Sequence, residues 1–152
     1  MQTQNKFISA WGFGIAIVLA GCASSHFHFR DAQEYKSAAL TVTEIEDSGE
    51  AYLANLKYEN RSPKRVMILA KDIGCSRGDR IGSAKLEIAD EILTIGPRET
   101  RELEVTCTFP TAGSGDYRIR IEEVYEQPRA SDESSVSRQI ASDLEWDSAK
   151  AR

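Results

Sequence analysis

Between Ser37 and Tyr125 apolar and polar side chains alternate in short runs, and each run ends in a cluster of Gly, Pro, Asn, Asp or Ser. A period of two sends successive side chains to opposite faces, so these runs predict half-buried β-strands separated by turns. Leu40 to Ile45 opens the series and Asp47-Ser48-Gly49 turns it. Ala51 to Glu59 follows, with Tyr52, Ala54, Leu56 and Tyr58 on one face, until Asn60-Arg61-Ser62-Pro63 breaks the chain. Val66 to Ile73 starts apolar in both parities, as a covered central strand does, and runs through Cys75 into a predicted loop, Ser76 to Arg80. Leu86 and Ile88 alternate with charges, Ile92 to Ile95 is a short apolar piece, and Gly96-Pro97 makes a sharp turn. Leu103, Val105, Cys107 and Phe109 then share one parity, which points Cys107 inward. Gly113-Ser114-Gly115 reads as a hairpin turn before Tyr117, Ile119 and Ile121, which alternate with Arg118, Arg120 and Glu122. About seven strands in so short a stretch predict two packed antiparallel sheets, an all-β sandwich.

The flanks follow other rules. Gln127 to Ser137 is rich in Ser, Pro and acidic residues and reads as a linker. Val136, Ile140 and Leu144 stand at i, i+4 and i+8, the apolar stripe of a short C-terminal helix with Trp146 near its end. Such a tail would fray, dock as a helix on the protein's own sandwich, or offer its tryptophan to a partner. At the other end Lys6 precedes an uncharged run from Phe7 to Ala20. That run falls short of the roughly 20 residues a membrane-spanning helix needs, so it reads as a secretory signal.

The junction Leu19-Ala20-Gly21-Cys22 resembles the lipobox of bacterial lipoproteins: a bulky residue three before the cysteine, two small ones beside it, all behind an apolar run. The resemblance implies cleavage before Cys22 and attachment of a diacylglyceryl group to its thiol, often with acylation of the new amine. Two or three acyl chains anchor stably where one holds only marginally. Ala23, in the position where an Asp tends to retain such proteins at the inner membrane, implies the periplasmic face of the outer membrane in a Gram-negative cell. The organisation expected is a signal peptide at 1–21, a lipidated tether at 22–36, a sandwich domain at 37–125, and a linker and tail at 126–152. Leu53 to Ser62, Leu93 to Thr100 and Leu103-Glu104-Val105 resemble the small immunoglobulin-like or fibronectin type III-like domains of envelope lipoproteins. The tryptophan that packs on the disulfide of antibody domains has no counterpart, since Trp146 lies in the tail.

Composition narrows the function classes. A chain of 152 residues with 41% hydrophobic and 28% charged residues fits one compact domain. Its formal charge of −5, becoming −6 once residues 1–21 and Lys6 are removed, argues against nucleic acid as a partner. Of the three cysteines, assigning Cys22 to lipid leaves Cys75 and Cys107, most simply one disulfide in an oxidising compartment. A redox or metal-binding pair is the alternative, without a Cys-x-x-Cys spacing or a nearby His to favour it.

Candidate chemistry is sparse. His26 and His28 are the only histidines; two imidazoles make a poor metal site, and a base so near the anchor makes a poor catalytic triad. Glu122-Glu123 and Asp132-Glu133 are neighbours that on a strand face opposite ways and cannot flank one bond. Arg77-Gly78-Asp79 spells an integrin-ligand tripeptide in a predicted loop, where turn chemistry accounts for it. Arg61, Lys64 and Arg65 form a small basic cluster suited to an acidic partner or a solvated loop. No catalytic residue, metal ligand or cofactor is expected. The expected role is a non-enzymatic binding or assembly module held at a membrane by lipid, with an envelope protein as partner. An inhibitor of proteases or lysozyme, acting through the Cys75 to Arg80 loop, and a secretion-system scaffold lipoprotein are the alternatives.

Overall fold

The computed structural model describes residues 24–127 and 138–151, and within them the chain is antiparallel β throughout, with one 3-10 turn at Ala70–Asp72. Eleven strands follow in order: β1 Ser25–His28, β2 Gln33–Glu34, β3 Ala38–Asp47, β4 Ala51–Asn60, β5 Val66–Leu69, β6 Ile73–Arg77, β7 Arg80–Leu86, β8 Ile92–Ile95, β9 Thr100–Thr108, β10 Tyr117–Glu126 and β11 Arg138–Asp147. One ladder runs from β1 and β2 through β3, β4 and β9 to the second half of β7. The other pairs β10 with β11 on one side and with β5 and β6 on the other; β5 then pairs with β8 and β6 with the first half of β7. Because Arg80, Ile81 and Gly82 pair with β6 while Ser83 to Leu86 pair with β9, β7 joins the two ladders.

The alternation read from the sequence is the burial pattern observed. Tyr52, Ala54, Leu56 and Tyr58 of β4 are buried, as are Leu103, Val105 and Cys107 of β9 and Tyr117, Ile119 and Ile121 of β10. Together with β3, β5 and β8 they form one core, and burying each large apolar side chain contributes about 1.5–3 kcal/mol.

Four expectations are corrected. Eleven strands replace about seven: the long run from Val66 is split in two by the 3-10 turn, and three further strands lie outside 37–125. The C-terminal helix is instead strand β11; Val136 lies outside the described residues, Leu144 and Trp146 are buried opposite Ile121 and Ile119 of β10, and half-buried Ile140 sits at the register shift between Val124 and Tyr125. A spacing of four suits a strand as well as a helix, and pairing with β10 satisfies the backbone. Ser76 to Arg80 is no loop but the tip of the β6–β7 hairpin, closed by Gly78 and Asp79 with Gly78 at φ +57°. Gly113 to Gly115 belongs to a connection between the ladders, because β9 and β10 do not pair with each other.

The segment read as a tether also carries structure. Register places Ser25 opposite Asp47 and His28 opposite Glu44, so β1 covers the edge of β3. Phe27 lies 5.6 Å from the Tyr117 ring, and Phe29 meets Trp146 edge-on at 4.9 Å. Of the sequence-derived sites, Cys22 lies outside the described residues.

Candidate functional site

The registers gather the turns at two poles. At one stand the β3–β4 turn, the β6–β7 tip, the 109–116 connection, the start of β1 at Ser25 and the turn after β11 at Ser148. At the other are the turns at Asn60–Arg65 and Gly96–Glu99. Asn60, fully buried, ties that second pole by donating to the carbonyls of Lys64 at 2.9 Å and Gly96 at 2.7 Å, while its Oδ1 accepts from Ser62 N–H at 2.9 Å.

Arg77 does the same work at the first pole. Only 1% exposed, its guanidinium donates to Gly49 O at 2.6 Å, Gly113 O at 3.1 Å and Asp47 Oδ1 at 2.7 Å. Its remaining faces meet aromatic rings, with Phe109 at 4.9 Å, Tyr117 at 5.6 Å and Tyr52 at 5.7 Å. Tyr117 donates to Asp47 Oδ2 at 2.5 Å, and Asp47 Oδ1 also accepts Gly49 N–H at 2.7 Å. Burial raises the Tyr52 and Tyr117 phenols well above their usual range, and the Asp47 carboxylate raises Tyr117 further. A guanidinium so enclosed braces three turns rather than presenting itself to a ligand. Arg77-Gly78-Asp79 is therefore not displayed as an exposed tripeptide.

Cys75 and Cys107 come together across the core at disulfide distance, their Cα atoms 6.1 Å apart, inside the span of roughly 4.4–6.8 Å that such bonds use. They link β6 to β9, one strand from each ladder. Gly82 faces this pair: a Cβ there would collide with Cys107 Sγ and come within 2.9 Å of Phe109.

His26 stands on open surface, with Nδ1 3.3 Å from Glu44 Oε1, Nε2 3.8 Å from Glu46 Oε1, and Ser24 Oγ 3.5 Å away. With a half-exposed imidazole and both acids in water, the arrangement is a solvated strand pairing rather than a sheltered base and nucleophile. Among the described residues no group of three or more His, Cys, Asp or Glu could hold a metal. The basic cluster is divided: Arg61 pairs with Glu34 and Glu59, and Lys64 with Glu126. Glu122 is exposed and Glu123 half-buried, as neighbours on a strand should be. Asp132-Glu133 lies outside the described residues.

One concavity is an open groove of about 560 Å³ on the outer face of β3, β4 and β9, lined by Thr43, Asn55, Lys57 and Glu104 together with Glu87 and Ile88. Sequence reasoning missed both this groove and the Arg77 cluster. Asp47 looked like turn chemistry alone, and the groove is built from outward positions of three strands far apart in the chain.

No protein-family model matches the chain, and no curated protein matches it in sequence. Three solved structures overlap it. A functionally unknown protein from Listeria monocytogenes EGD-e shares 9% identity, with 82% of this chain and 88% of that one covered and a TM-score of 0.46. The yjhA protein from Bacillus subtilis shares 8%, with 75% and 98% covered and a TM-score of 0.44. The putative lipoprotein ycdA from Bacillus subtilis subsp. subtilis str. 168 shares 14%, with 73% and 38% covered and a TM-score of 0.42.

Proposed function

We propose that this chain is a lipid-anchored envelope protein whose immunoglobulin-like sandwich acts as a non-enzymatic binding or assembly module. Residues 1–21 are the signal, Cys22 carries the lipid, and Cys75 and Cys107 form a disulfide on export. In a Gram-negative cell its place is the periplasmic face of the outer membrane. The observation that carries this reading is the junction: Leu19-Ala20-Gly21-Cys22 stands directly ahead of a β domain whose first strand opens at Ser25. Fixing the domain at a surface raises its effective concentration toward partners in the same layer. Trp146 is fully buried and so does not serve as a docking anchor, which leaves recruitment to the groove over β3, β4 and β9 and to the sheet edges.

The anchor is tested by Cys22→Ala, which should abolish incorporation of labelled fatty acid and move the protein from the membrane to the soluble fraction; retention in the membrane would mean an uncleaved anchor. The recruiting role is tested by a photo-crosslinking residue at Lys57 in the wild-type background. A discrete adduct with one envelope protein supports it, and recovery of no envelope protein counts against it.

A further inference from the structure

We infer that the pole braced by Arg77 is a membrane-contact surface, with Ile81 and the 109–115 connection meeting the phospholipid interface and the Asn60 pole turned away from it. This rests on the lipidation of Cys22 proposed above.

The reach of the chain comes first. From Cys22 to Ser25 three residues span at most about 10 Å, because an extended chain advances roughly 3.3–3.6 Å per residue. Ser25 is paired to Asp47, and the Asp47 carboxylate is held by Arg77 and Tyr117. The lipidated residue is thus leashed to this pole, too closely for the domain to turn over freely.

The pole also has a surface that suits the position. Ile81 is 85% exposed, the most exposed large apolar side chain among the described residues. Phe109-Pro110-Thr111-Ala112-Gly113-Ser114-Gly115 contains no ionisable side chain, in a protein where 28% of residues are charged, and Pro110, Thr111, Ala112, Ser114 and Gly115 are exposed. Charged groups pressed against a bilayer lose hydration, whereas an uncharged loop with an apolar neighbour loses little and gains apolar burial.

The surface is braced as well. Arg80 Nη1 donates to Ala112 O at 2.6 Å, Thr111 Oγ1 at 2.7 Å and Thr111 O at 3.2 Å, joining the β6–β7 tip to the uncharged connection. Gly78 and Gly115 pack backbone to backbone behind them: a Cβ on Gly115 would come within 2.8 Å of Gly78 Cα. The two turns therefore approach the bilayer as one unit. The neighbouring turns of this pole do carry exposed Glu50, Asp79 and Arg80, so the contact is confined to Ile81 and the uncharged connection, while at the far pole Arg61 and Lys64 pair with acids.

The test uses the lipidated mature protein in vesicles of phosphatidylethanolamine and phosphatidylglycerol with brominated acyl chains. Ile81→Trp reports the near pole, Arg65→Trp the far one, and the buried Trp146 of the wild type gives the background. Brominated lipid should quench Ile81→Trp roughly two-fold or more over Arg65→Trp, since an interfacial group sits about 5–10 Å into the headgroup and acyl boundary. Ala112→Trp, quenched in the same way, covers the case in which a change at 81 disturbs the hairpin. Equal quenching at both poles in vesicles that carry the protein through flotation overturns the orientation while leaving the anchor standing. Failure to float removes the anchor and the orientation with it.

Discussion

Arg77 Nη2 and Asp47 Oδ1 meet at 2.7 Å, with the arginine side chain 1% and the aspartate 14% exposed. Removing a guanidinium from water costs several kcal/mol, and here two carbonyls, one carboxylate and three ring faces offset that cost. Asp47→Ala would leave the buried charge without its counter-ion and free Tyr117 and Gly49 of their acceptor. The expected loss is about 3–5 kcal/mol in urea unfolding, the usual result of removing one partner of a buried pair. A loss below about 1 kcal/mol would mean that the two carbonyls alone satisfy Arg77.

Stability should also depend on alkaline pH. Burial raises the phenols of Tyr52, Tyr58 and Tyr117 above the ordinary value of 10.0, so the folded state favours their neutral form. The stability this confers is complete below pH 10 and is lost as the pH climbs above it, because the unfolded chain releases those protons first. Tyr58 isolates the effect, since its buried hydroxyl has no hydrogen-bond partner. Tyr58→Phe should be neutral or stabilising by up to about 1 kcal/mol at neutral pH, and should flatten the alkaline decline measured by urea unfolding. A clear loss at neutral pH would reveal a partner for that hydroxyl.

Most of the fold was legible because two-residue periodicity is a local property. Tyr52 to Tyr58 and Leu103 to Phe109 announce their buried face in their own spacing. Where the reading failed, partners elsewhere in the chain decided the outcome. Ile140 and Leu144, four apart, fit either period until β10 supplies a ladder, and only Trp146, two beyond Leu144, favours the strand. His26-Phe27-His28-Phe29 is too short to declare a strand until β3 offers an edge, and its phenylalanines find Tyr117 and Trp146 over a hundred positions of sequence away or nearly so.

Gly82 and the Cys75–Cys107 pair make a linked prediction. Cys75 and Gly82 are partners across the β6–β7 hairpin, and the missing side chain leaves room for the sulfur of Cys107 and the ring of Phe109. Gly82→Ala should destabilise by about 1–3 kcal/mol through overpacking. Reduction of the disulfide, or the paired change Cys75→Ala and Cys107→Ala, should cost roughly 3–4 kcal/mol for a closed loop of 32 residues. Alkylation under denaturing conditions gives the check: neither cysteine should react before reductant is added, and labelling of both would remove the bond.

The sites were less legible than the strands, for a reason visible in Arg77. Its neighbours Gly78 and Asp79 mark a turn, and an arginine beside a turn is ordinarily solvated. Only the convergence of Asp47, Gly49, Gly113 and three aromatic rings, from the distant stretches 47–52 and 109–117, turns it inward. The cysteine pair was readable because composition leaves few alternatives, whereas a cage built from common residue types has no sequence signature.

The tail gives the sharpest contrast between a free appendage and a working part of the fold. Trp146 is fully buried, its indole N–H donates to Asp31 O at 3.3 Å, and Phe29 packs edge-on against it. One residue earlier, the Tyr35 hydroxyl bonds the backbone of Glu145, so the segment before β3 and strand β11 hold each other. Trp146→Ala should therefore cost about 3–5 kcal/mol, as for other buried aromatic truncations, while Trp146→Phe keeps most of the volume and should cost less. Because Trp146 is the only tryptophan after residue 21, its fluorescence reports the tail directly. Blue-shifted emission resistant to acrylamide is expected in the folded protein and should be lost in the same urea transition as the β-sheet signal. Emission as accessible as that of free tryptophan, with stability unchanged when the chain is ended at Gln127, would show that β11 is not part of the cooperative fold and would return Trp146 to the list of candidate partner anchors.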